Sequence, residues 1–429
     1  MNVLLLGNGA REHAMAWKLA QSPDLAKLWI APGNVGTGRF GENVPATVAT
    51  HREGVLALAR RIAADLVVVG PENPLAAGVV DALEAEGFRV CGATAAAAEI
   101  ESSKSFAKEL MARAGIATAA SRAFDDPDEA KAYVRSVHYQ VVVKADGLAA
   151  GKGVTVCDSL ADADRAIDDA MKSHAFGDAG NRILIEERMR GRETSAHAFT
   201  DGVTVRHMPF SCDHKPVFDA DRGPNTGGMG VYSPPGWLDP GTATRIRVQI
   251  TERAVGALTQ AGRPFRGVIY PGIMVTADGA RVVEFNARMG DPEAEVLLPK
   301  LRTDLLEICD AIADTRLSGV PVDWDPSASV GVIMASGGYP GPYETGKPIT
   351  GVEDVDDDVQ VFFAGAARDD QGRLVTSGGR VLCVVARGET VEAARERAYD
   401  NVRRISFEGA HFRTDIGATA GEPVAAARS

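Results

Sequence analysis

A glycine-rich segment between two lysines is the first stretch of the chain whose residue types suit chemistry on a phosphate. It runs from Lys144 to Gly153 and reads KADGLAAGKG. It is not a Walker A loop, because Gly147 and Gly151 stand one residue too close together and Gly153 takes the place of the Ser or Thr that binds Mg²⁺. Strand-like runs flank it, so we expect a hairpin flap that folds over a triphosphate and excludes water. A mobile surface hairpin without a ligand is the alternative.

A carboxylate and an amide two residues apart form a second candidate group. Glu284 and Asn286 belong to an apolar run that predicts a strand over residues 281–286. Because side chains alternate along a strand, the two point to the same face, and Arg288 continues that side. Their oxygens are hard ligands that suit Mg²⁺ held jointly with substrate phosphates. The alternative is a polar stripe on a solvent-facing edge strand, which would show the same spacing of Glu284 and Asn286.

The N-terminal loop GNGARE, residues 7–12, joins a predicted strand to a predicted helix. It lacks the fingerprint of a nicotinamide site, because Glu12 replaces the third glycine and the second strand ends at Pro32 and Gly33 without an acidic residue. Its glycines permit close backbone approach, the helix N-terminus favours an anion, and Arg11 adds a charged fork. A plain strand–helix turn with a solvated Arg11 is the alternative.

A glycine-dense run, GPNTGGMG over residues 223–230, follows Asp213 and Lys215. Such a run exposes backbone N–H groups and can form a concavity for an anion. An ordinary long loop has a similar composition, so this segment does not decide between the two by itself.

The elements that must position these groups follow a βα rhythm over the first hundred residues. Short apolar runs alternate with helical stretches, and each run ends in Gly or Pro. This pattern predicts a doubly wound parallel sheet with ligands beyond the carboxyl ends of its strands. The loops of interest are 7–12, 32–38 and 70–74.

The rest of the chain divides into two further regions, and the predicted fold class is multidomain α/β and α+β. We expect an N-terminal domain over residues 1–101 and a central domain over 102–324 with a flap at about 118–190. A mostly β domain follows over 325–424, with a tail at 425–429. Within these regions the pattern predicts single helices over 75–86 and 242–261.

Composition excludes several functional classes. The formal net charge of −12 over 429 residues argues against a general nucleic-acid or membrane binder. No apolar run is long enough to span a bilayer. The five cysteines are scattered singly, which indicates neither a disulfide framework nor a zinc site and favours a reducing cytoplasm.

Eight segments in the same order resemble the glycinamide ribonucleotide synthetase family, whose members are ATP-grasp ligases of purine biosynthesis. They are GNGAREHA (7–14), PGNVGT (32–37), VGPENPL (69–75), KADGLAAGKGV (144–154), GPNTGGMGVYS (223–233), EFNARMGDPE (284–293), GGYPG (337–341) and SGGRVL (377–382). The resemblance covers essentially the whole chain, and KADGLAAGKGV and GPNTGGMG are its most specific parts. It implies that the central region is an ATP-grasp domain.

The resemblance also implies a role for each candidate residue. The ATP-binding residues would be Lys104, Lys144, Gly147, Gly151, Lys152, Gly153, Glu186, Glu187, Met189 and Glu193. The phosphoribosylamine would meet Gly9, Arg11, Glu12, Asn34, Pro71, Glu72, Asn225, Thr226, Gly227, Gly228 and Met229. Glycine and the reacting phosphoryl group would lie near the catalytic residues Asp213, Lys215, Arg288 and Asp291. Mg²⁺ or Mn²⁺ would be held by Glu284 and Asn286.

The implied reaction phosphorylates glycine with ATP to a glycyl phosphate, from which the amine of 5-phosphoribosylamine displaces phosphate. Such chemistry needs positioning and charge neutralisation rather than a protein nucleophile. The implied partners are these small molecules, and we expect a monomer or weak homodimer with a single activity. A related ATP-grasp carboxylate–amine ligase would lack the N-terminal loops, and a non-catalytic ATP-sensing protein need not keep the metal pair and lysines.

A few positions depart from the family pattern. Ala10 stands where Gly is usual, Pro271 where Ala is more frequent, and His197 where an apolar residue is more frequent. The segment 215–218 is also atypical, which makes Lys215 the weakest of the transferred roles. None of these departures removes a phosphate, metal or acyl-transfer group.

Overall fold

The N-terminal part of the protein is a parallel sheet with helices between its strands. The computed structural model describes residues 1–149 and 153–422. Its first elements are β1 (Asn2–Gly7), α1 (Ala10–Leu19), β2 (Lys27–Pro32), β3 (Glu42–Asn43), α2 (Arg52–Arg61), β4 (Leu66–Val69), α3 (Glu72–Ala76), α4 (Val79–Ala85) and β5 (Val90–Cys91). The strand order is β3-β2-β1-β4-β5, so a crevice opens beyond the carboxyl ends of β1 and β4, where the order reverses. The predicted doubly wound sheet is confirmed.

The next unit carries the predicted hairpin. Its elements are α5 (Ala95–Ser102), α6 (Lys104–Ala114), β6 (Ser121–Phe124), α7 (Pro127–Ser136), β7 (Val141–Ala145), β8 (Val154–Val156), α8 (Leu160–Met171) and β9 (Ile183–Glu187). The four strands form an antiparallel sheet in the order β6-β9-β7-β8. Strands β7 and β8 pair with Lys144 opposite Val154, as a hairpin requires. Its residues 150–152 lie outside the described part of the chain.

The central antiparallel sheet carries the predicted metal pair. The elements of this region are β10 (Arg192–Ser195), β11 (Ala198–Asp201), β12 (Val205–His207), β13 (Cys212–Asp213), β14 (Pro216–Phe218), β15 (Arg222–Asn225), β16 (Gly230–Ser233), α9 (Pro240–Ile246), α10 (Arg253–Gln260), β17 (Arg266–Thr276), β18 (Gly279–Asn286), α11 (Glu293–Leu297) and α12 (Leu305–Ala313). The long strand β17 pairs with β10, β11 and β18. The pairing register between β17 and β18 shifts next to Gly272, which lies opposite Glu284. This irregularity determines to which side of the sheet the Glu284 side chain points.

The last sheet combines strands from two parts of the sequence. The remaining elements are β19 (Ala328–Ala335), β20 (Gln360–Phe363), β21 (Ala366–Arg368), β22 (Leu374–Thr376), β23 (Arg380–Gly388) and α13 (Val391–Val402). The sheet order is β13-β16-β19-β23-β20, so β13 and β16, which flank the glycine-dense loop, join strands from beyond residue 325. The C-terminal region is therefore hydrogen-bonded to the loop that it helps to position.

Strand β1 lies at the centre of the apolar interior. Leu4 and Leu6 belong to one core and Val3 and Leu5 to another, and all four are fully buried. A parallel sheet covered on both faces has this continuous apolar pattern. The carboxyl end of β1, which leads into the GNGARE loop, is therefore held rigidly.

Two helices differ from the prediction. The helix expected over 75–86 is divided into α3 and α4, because Gly78 between them has a φ of +72° and adopts the left-handed conformation. The helix expected over 242–261 is interrupted by a π-helical segment, Arg247–Glu252, between α9 and α10. Among the residues that the structure describes, every helix is too short or too polar to cross a lipid bilayer.

His13 joins the N-terminal sheet to the C-terminal region. Its ring lies between Phe40, Phe362 and Phe363, with centroid distances of 5.7, 5.5 and 5.7 Å. Its Nδ1 accepts a hydrogen bond from the backbone N–H of Phe363 at 2.8 Å. Burial, helped by the charge of Arg39, lowers the pKa of His13 to about 3. The imidazole is therefore neutral when the protein is folded at neutral pH.

This shift makes stability depend on pH. The folded pKa of His13 lies below its ordinary value of 6.5, so the unfolded chain binds more protons between these values. The contribution of His13 is complete above pH 6.5 and falls by about 1.4 kcal/mol for each unit as the pH decreases towards 3. We expect His13→Asn, which keeps an acceptor but cannot titrate, to lose stability less steeply between pH 6.5 and 5 in urea unfolding. Equal slopes in the two proteins would contradict this account.

Candidate functional site

One cavity of ≈ 290 Å³ collects most of the predicted site residues. Its wall comes from the N-terminal loops, α6, the hairpin, β9, β18 and the glycine-dense loop, and β23 of the C-terminal sheet reaches it. Among the residues that the structure describes, seven cationic side chains line it, namely Arg11, Lys104, Lys108, Lys144, Lys215, Arg288 and Arg380. Seven carboxyl groups line it as well, namely Glu72, Glu101, Glu186, Asp213, Glu284, Asp291 and Glu293. Charges of both signs therefore line the same cavity.

The crevice at the sheet reversal is held together by Glu12. Its Oε2 accepts from the backbone N–H of Gly9 at 2.6 Å, and its Oε1 pairs with Nε of Arg11 at 2.6 Å. A Cβ at Gly7 or Gly70 would lie 2.4 or 2.2 Å from atoms of Glu12, so both positions need glycine. Glu12 is buried and lies outside the cavity lining, where it orients Arg11.

Asn34 and Pro71 also support the N-terminal loops and do not line the cavity. The Asn34 amide donates to the backbone oxygens of Asn8 and Gly9 at 2.9 and 3.2 Å. Pro71 stands at the N-terminus of α3, directly before Glu72. Their local role is to hold the loops that present Arg11 and Glu72.

Arg288 and Glu72 form the centre of an ion-pair network. Arg288 Nε lies 3.2 Å from Glu72 Oε2, and its Nη2 lies 3.2 Å from Glu101 Oε1. Burial raises the pKa of Glu72, but Arg288 and Arg11 outweigh it and lower that pKa to about 2. Burial raises the pKa of Glu101 despite its contact with Arg288. The prediction did not include Glu101, which carries no recognisable motif.

Three lysines converge where the hairpin meets α6 and β18. Lys144 Nζ lies 3.1 Å from Glu186 Oε2 and donates to the backbone oxygen of Val283 at 3.0 Å. Lys104 Nζ donates to the backbone oxygen of Gly147 at 3.1 Å, and burial lowers its pKa although Glu284 opposes this. Lys108, which the sequence did not single out, pairs with Glu186 at 3.2 Å.

The other predicted nucleotide residues lie around this group. Gly147 and Gly153 line the cavity, whereas Gly151 and Lys152 lie outside the described residues. Glu187 and Met189 do not line it. Glu193, on β10, pairs with Lys215 Nζ at 3.3 Å beside a small adjoining cavity that Glu284 also lines.

Glu284 and Asn286 meet the requirements of a shared metal site. Both line the cavity, and the Asn286 amide nitrogen donates to the backbone oxygen of Tyr270 at 3.3 Å, which leaves its oxygen for a ligand. Burial raises the pKa of Glu284, but Lys215, Lys144 and Lys104 outweigh it and lower that pKa. Within 1–149 and 153–422, no three His, Cys, Asp or Glu residues cluster around a metal position. Two protein ligands fit Mg²⁺ completed by phosphates and water.

Asp213 lies next to the glycine-dense loop, since a Cβ at Gly228 would lie 2.6 Å from its Oδ1. The Oδ1 of Asp213 is buried and has no hydrogen-bond partner within the described chain. Burial, followed by the charge of Glu293, raises the pKa of Asp213 well above its ordinary value. Thr226 and Gly227 line the cavity, whereas Asn225, Gly228, Met229 and Gly9 are not among its lining residues.

Arg380 brings the C-terminal sheet to the cavity. Its Nη2 lies 3.0 Å from Asp291 Oδ1, and its Nη1 donates to the backbone oxygens of Gly227 and Asp291 at 2.8 Å each. The sequence contained a signal for this residue, since SGGRVL was one of the matching segments, but no role was assigned to it. Glu293 was likewise present in EFNARMGDPE without a role.

Comparison with known proteins agrees with this geometry. Residues 1–101, 102–294 and 329–419 match the models described as the N domain, the ATP-grasp (A) domain and the C domain of phosphoribosylglycinamide synthetase. A phosphoribosylamine–glycine ligase from Rhodopirellula baltica is 47% identical over 424 residues, which cover 97% of this chain and 97% of the relative.

Solved structures agree in fold. The phosphoribosylamine–glycine ligase from Thermotoga maritima is 32% identical, with a TM-score of 0.81 and coverage of 97% of this chain and 100% of that chain. The biotin carboxylase–β-γ-ATP complex from Campylobacter jejuni, 16% identical with a TM-score of 0.72, covers 96% of this chain and 92% of that chain and shares the fold alone. The chain belongs to the phosphoribosylglycinamide synthetase family, as the resemblance of its loops predicted.

Proposed function

We propose that this protein ligates glycine to 5-phosphoribosylamine in purine biosynthesis, converting ATP to ADP and phosphate. The observation that carries the proposal is that the lysines, the Glu284–Asn286 pair and the N-terminal groups Arg11 and Glu72 line a single cavity. A related ATP-grasp ligase would share the first two groups but not the loops that present Arg11 and Glu72.

The nucleotide is assigned to the end of the cavity between the hairpin and β18. Lys104 has no carboxylate within ion-pair distance among the described residues, so its half-buried ammonium is suited to a phosphate. Lys144 is assigned to the phosphates as well, with Lys152 and the hairpin glycines closing over them. Glu186, Glu187 and Met189 are assigned to the adenine side and Glu193 to the ribose.

The acceptor amine is assigned to the crevice at the sheet reversal. Arg11 and Glu72 would meet the phosphoribosyl group, with Gly9, Glu12, Asn34 and Pro71 shaping these loops. The other side is formed by the segment Asn225, Thr226, Gly227, Gly228 and Met229. A helix N-terminus beside an arginine suits a phosphate group.

Glycine is assigned between these two ends. The Asp213 carboxyl would contact its ammonium group, and Arg288 would hold its carboxylate towards the γ-phosphate, with Lys215 and Asp291 nearby. Phosphoryl transfer to that carboxylate requires positioning and charge neutralisation, which fixed cations supply. A divalent ion at Glu284 and Asn286, Mg²⁺ or Mn²⁺, would neutralise phosphate charge during the transfer.

We propose domains over 1–101, 102–324 and 325–424 with a tail at 425–429. The boundary between the first two domains is supported by the family model of the N domain, which ends at residue 101. Across the boundary at 324 and 325, the two domains share the sheet β13-β16-β19-β23-β20. A cytoplasmic location is supported by Cys91, Cys157, Cys212, Cys309 and Cys383, which are all free and buried. We also propose a monomer or weak homodimer.

ADP release tests the proposed reaction directly. The protein is mixed with ATP, Mg²⁺, glycine and freshly generated phosphoribosylamine, and each component is omitted in turn. We expect multiple-turnover ADP formation only when both glycine and the amine are present, because each is consumed with one ATP. ADP release without either substrate, or none from a folded protein that binds ATP, would favour a related ligase or an ATP sensor.

Glu284→Gln tests the assignment of the metal pair. The substitution keeps the shape of the side chain but removes its charge, so we expect turnover to fall by about 100-fold or more and the Mg²⁺ requirement to rise. The thermal unfolding temperature of the variant reports whether the fold persists. Asp278→Asn, at the exposed turn of the same strand pair, is the matched control and should retain wild-type turnover. Wild-type metal dependence in Glu284→Gln would remove Glu284 from the site.

A further inference from the structure

Three carboxyl groups in the cavity lack an ion-pair partner in the described part of the chain. Arg288 neutralises Glu72 and Glu101, Arg380 pairs with Asp291, and two lysines share Glu186. Asp213, Glu284 and Glu293 remain. The metal role accounts for Glu284 and the glycine ammonium for Asp213, so only Glu293 is left without a function.

Glu293 is held in a fixed orientation by two hydroxyl groups. Its Oε1 accepts from Tyr270 Oη at 2.6 Å and from Ser195 Oγ at 3.0 Å. The single Ser195 hydroxyl hydrogen is shared between Glu293 Oε1 and Tyr270 Oη, which lies 2.9 Å from Ser195 Oγ. No described side chain donates to the other oxygen, Oε2. The carboxyl group is therefore anchored through one oxygen and retains acceptor capacity at the other.

A glycine leaves room for the second oxygen of Glu293, Oε2. A Cβ at Gly290 would lie 2.1 Å from Glu293 Oε2, so the bare glycine provides the space that this oxygen occupies. The Gly290 N–H donates to His197 Nε2 at 3.1 Å, and the His197 ring stacks on Tyr270 at 4.0 Å. His197 therefore connects the loop at Gly290 to Tyr270, which holds Glu293 in place. Tyr270 and Glu293 line the cavity, whereas His197 does not.

The Glu293 side chain has the ionisation state that a general base requires. Burial raises its pKa, but the hydrogen bond from the Tyr270 hydroxyl and the charge of Lys215 oppose burial and the net shift of the pKa is downward, so the group is a carboxylate at neutral pH. Asp213 has the opposite shift, with a pKa raised well above the ordinary value by burial and by Glu293. Because Glu293 lines the cavity and is anchored through Oε1, its Oε2 can accept a proton from a bound substrate.

We propose that Glu293 is the general base that accepts the proton lost by the amine as it attacks the acyl phosphate. The amine nitrogen forms a bond to the glycyl carbonyl carbon, and the carbon–oxygen bond to phosphate breaks with its electron pair on the leaving phosphate. Of the two protons on the amine, one stays on the amide and one passes to Glu293 Oε2, from which it returns to solvent. The assignment rests on the proposed ligase function.

Hydroxylamine separates this step from the earlier one. It traps an acyl phosphate as a hydroxamate, and because it is small, water can take its proton in place of Glu293. We expect Glu293→Gln to lower amide formation from phosphoribosylamine by about 10²–10⁴-fold. Glycine hydroxamate formation from ATP, glycine and hydroxylamine should stay near the wild-type rate with the same KM for glycine. That retained reaction also reports that the variant is folded.

Glu295→Gln is the matched control. Glu295 is another fully buried glutamate in α11, its two oxygens have no partner among the described residues, and it does not line the cavity. We expect this variant to keep both reactions. Tyr270→Phe, which removes one anchor, should lower amide formation less than Glu293→Gln does and leave hydroxamate formation unchanged.

Other outcomes overturn the proposal in distinguishable ways. Equal loss of both reactions in Glu293→Gln, or a raised KM for glycine in the hydroxamate reaction, would place Glu293 in glycine binding or activation. Unchanged amide formation in that variant, or an equal loss in Glu295→Gln, would also remove its role as a base. A wild-type protein that forms no hydroxamate would instead overturn the ligase function itself.

Discussion

The two ion pairs of Arg288 are the interaction on which the rest of the site depends. Its guanidinium lies 3.2 Å from both Glu72 and Glu101, which belong to the first turn of α3 and to the end of α5. A buried charge is costly unless it is paired, so each partner fixes the positions of the others. Three segments that are distant in sequence are thereby held around a cavity instead of collapsing into it.

The same constraint explains why so many charges are tolerated in one space. Paired cations and carboxylates compensate one another, so charges of both signs can line one cavity. Electrostatic interactions are stronger in a space from which water is excluded, which favours transfer of a phosphoryl group between bound substrates. An acyl phosphate also hydrolyses in water, so a hairpin that closes over the cavity would protect it.

The C-terminal region contributes to the site through its sheet and through two contacts. Strands β13 and β16 hydrogen-bond into the sheet that contains β19 and β23, so the glycine-dense loop between them has a rigid base. Arg380 ties that loop to Asp291. On the other side, the buried His13 accepts from Phe363 and fixes α1 against β20. The C-terminal region is thus a structural support that adds one charged side chain to the cavity.

The sequence by itself determined the parallel N-terminal sheet, the hairpin and the family, because apolar periodicity and glycine positions are local properties of the chain. It also indicated that Glu284 and Asn286 share a face, since alternation along a strand needs no tertiary information. It overestimated the continuity of the helices at 75–86 and 242–261, where Gly78 and a π-helical segment interrupt them.

Only the tertiary structure decided which charges meet. Lys108, Glu101 and Tyr270 reach the cavity from three separate elements, and nothing in their sequence neighbourhoods distinguishes them from ordinary surface or core residues. Glu12, which was predicted to meet the substrate, accepts from the Gly9 N–H and pairs with Arg11. Such roles depend on distances between segments far apart in the chain, and these distances are set by packing and by the cost of leaving a buried charge unpaired.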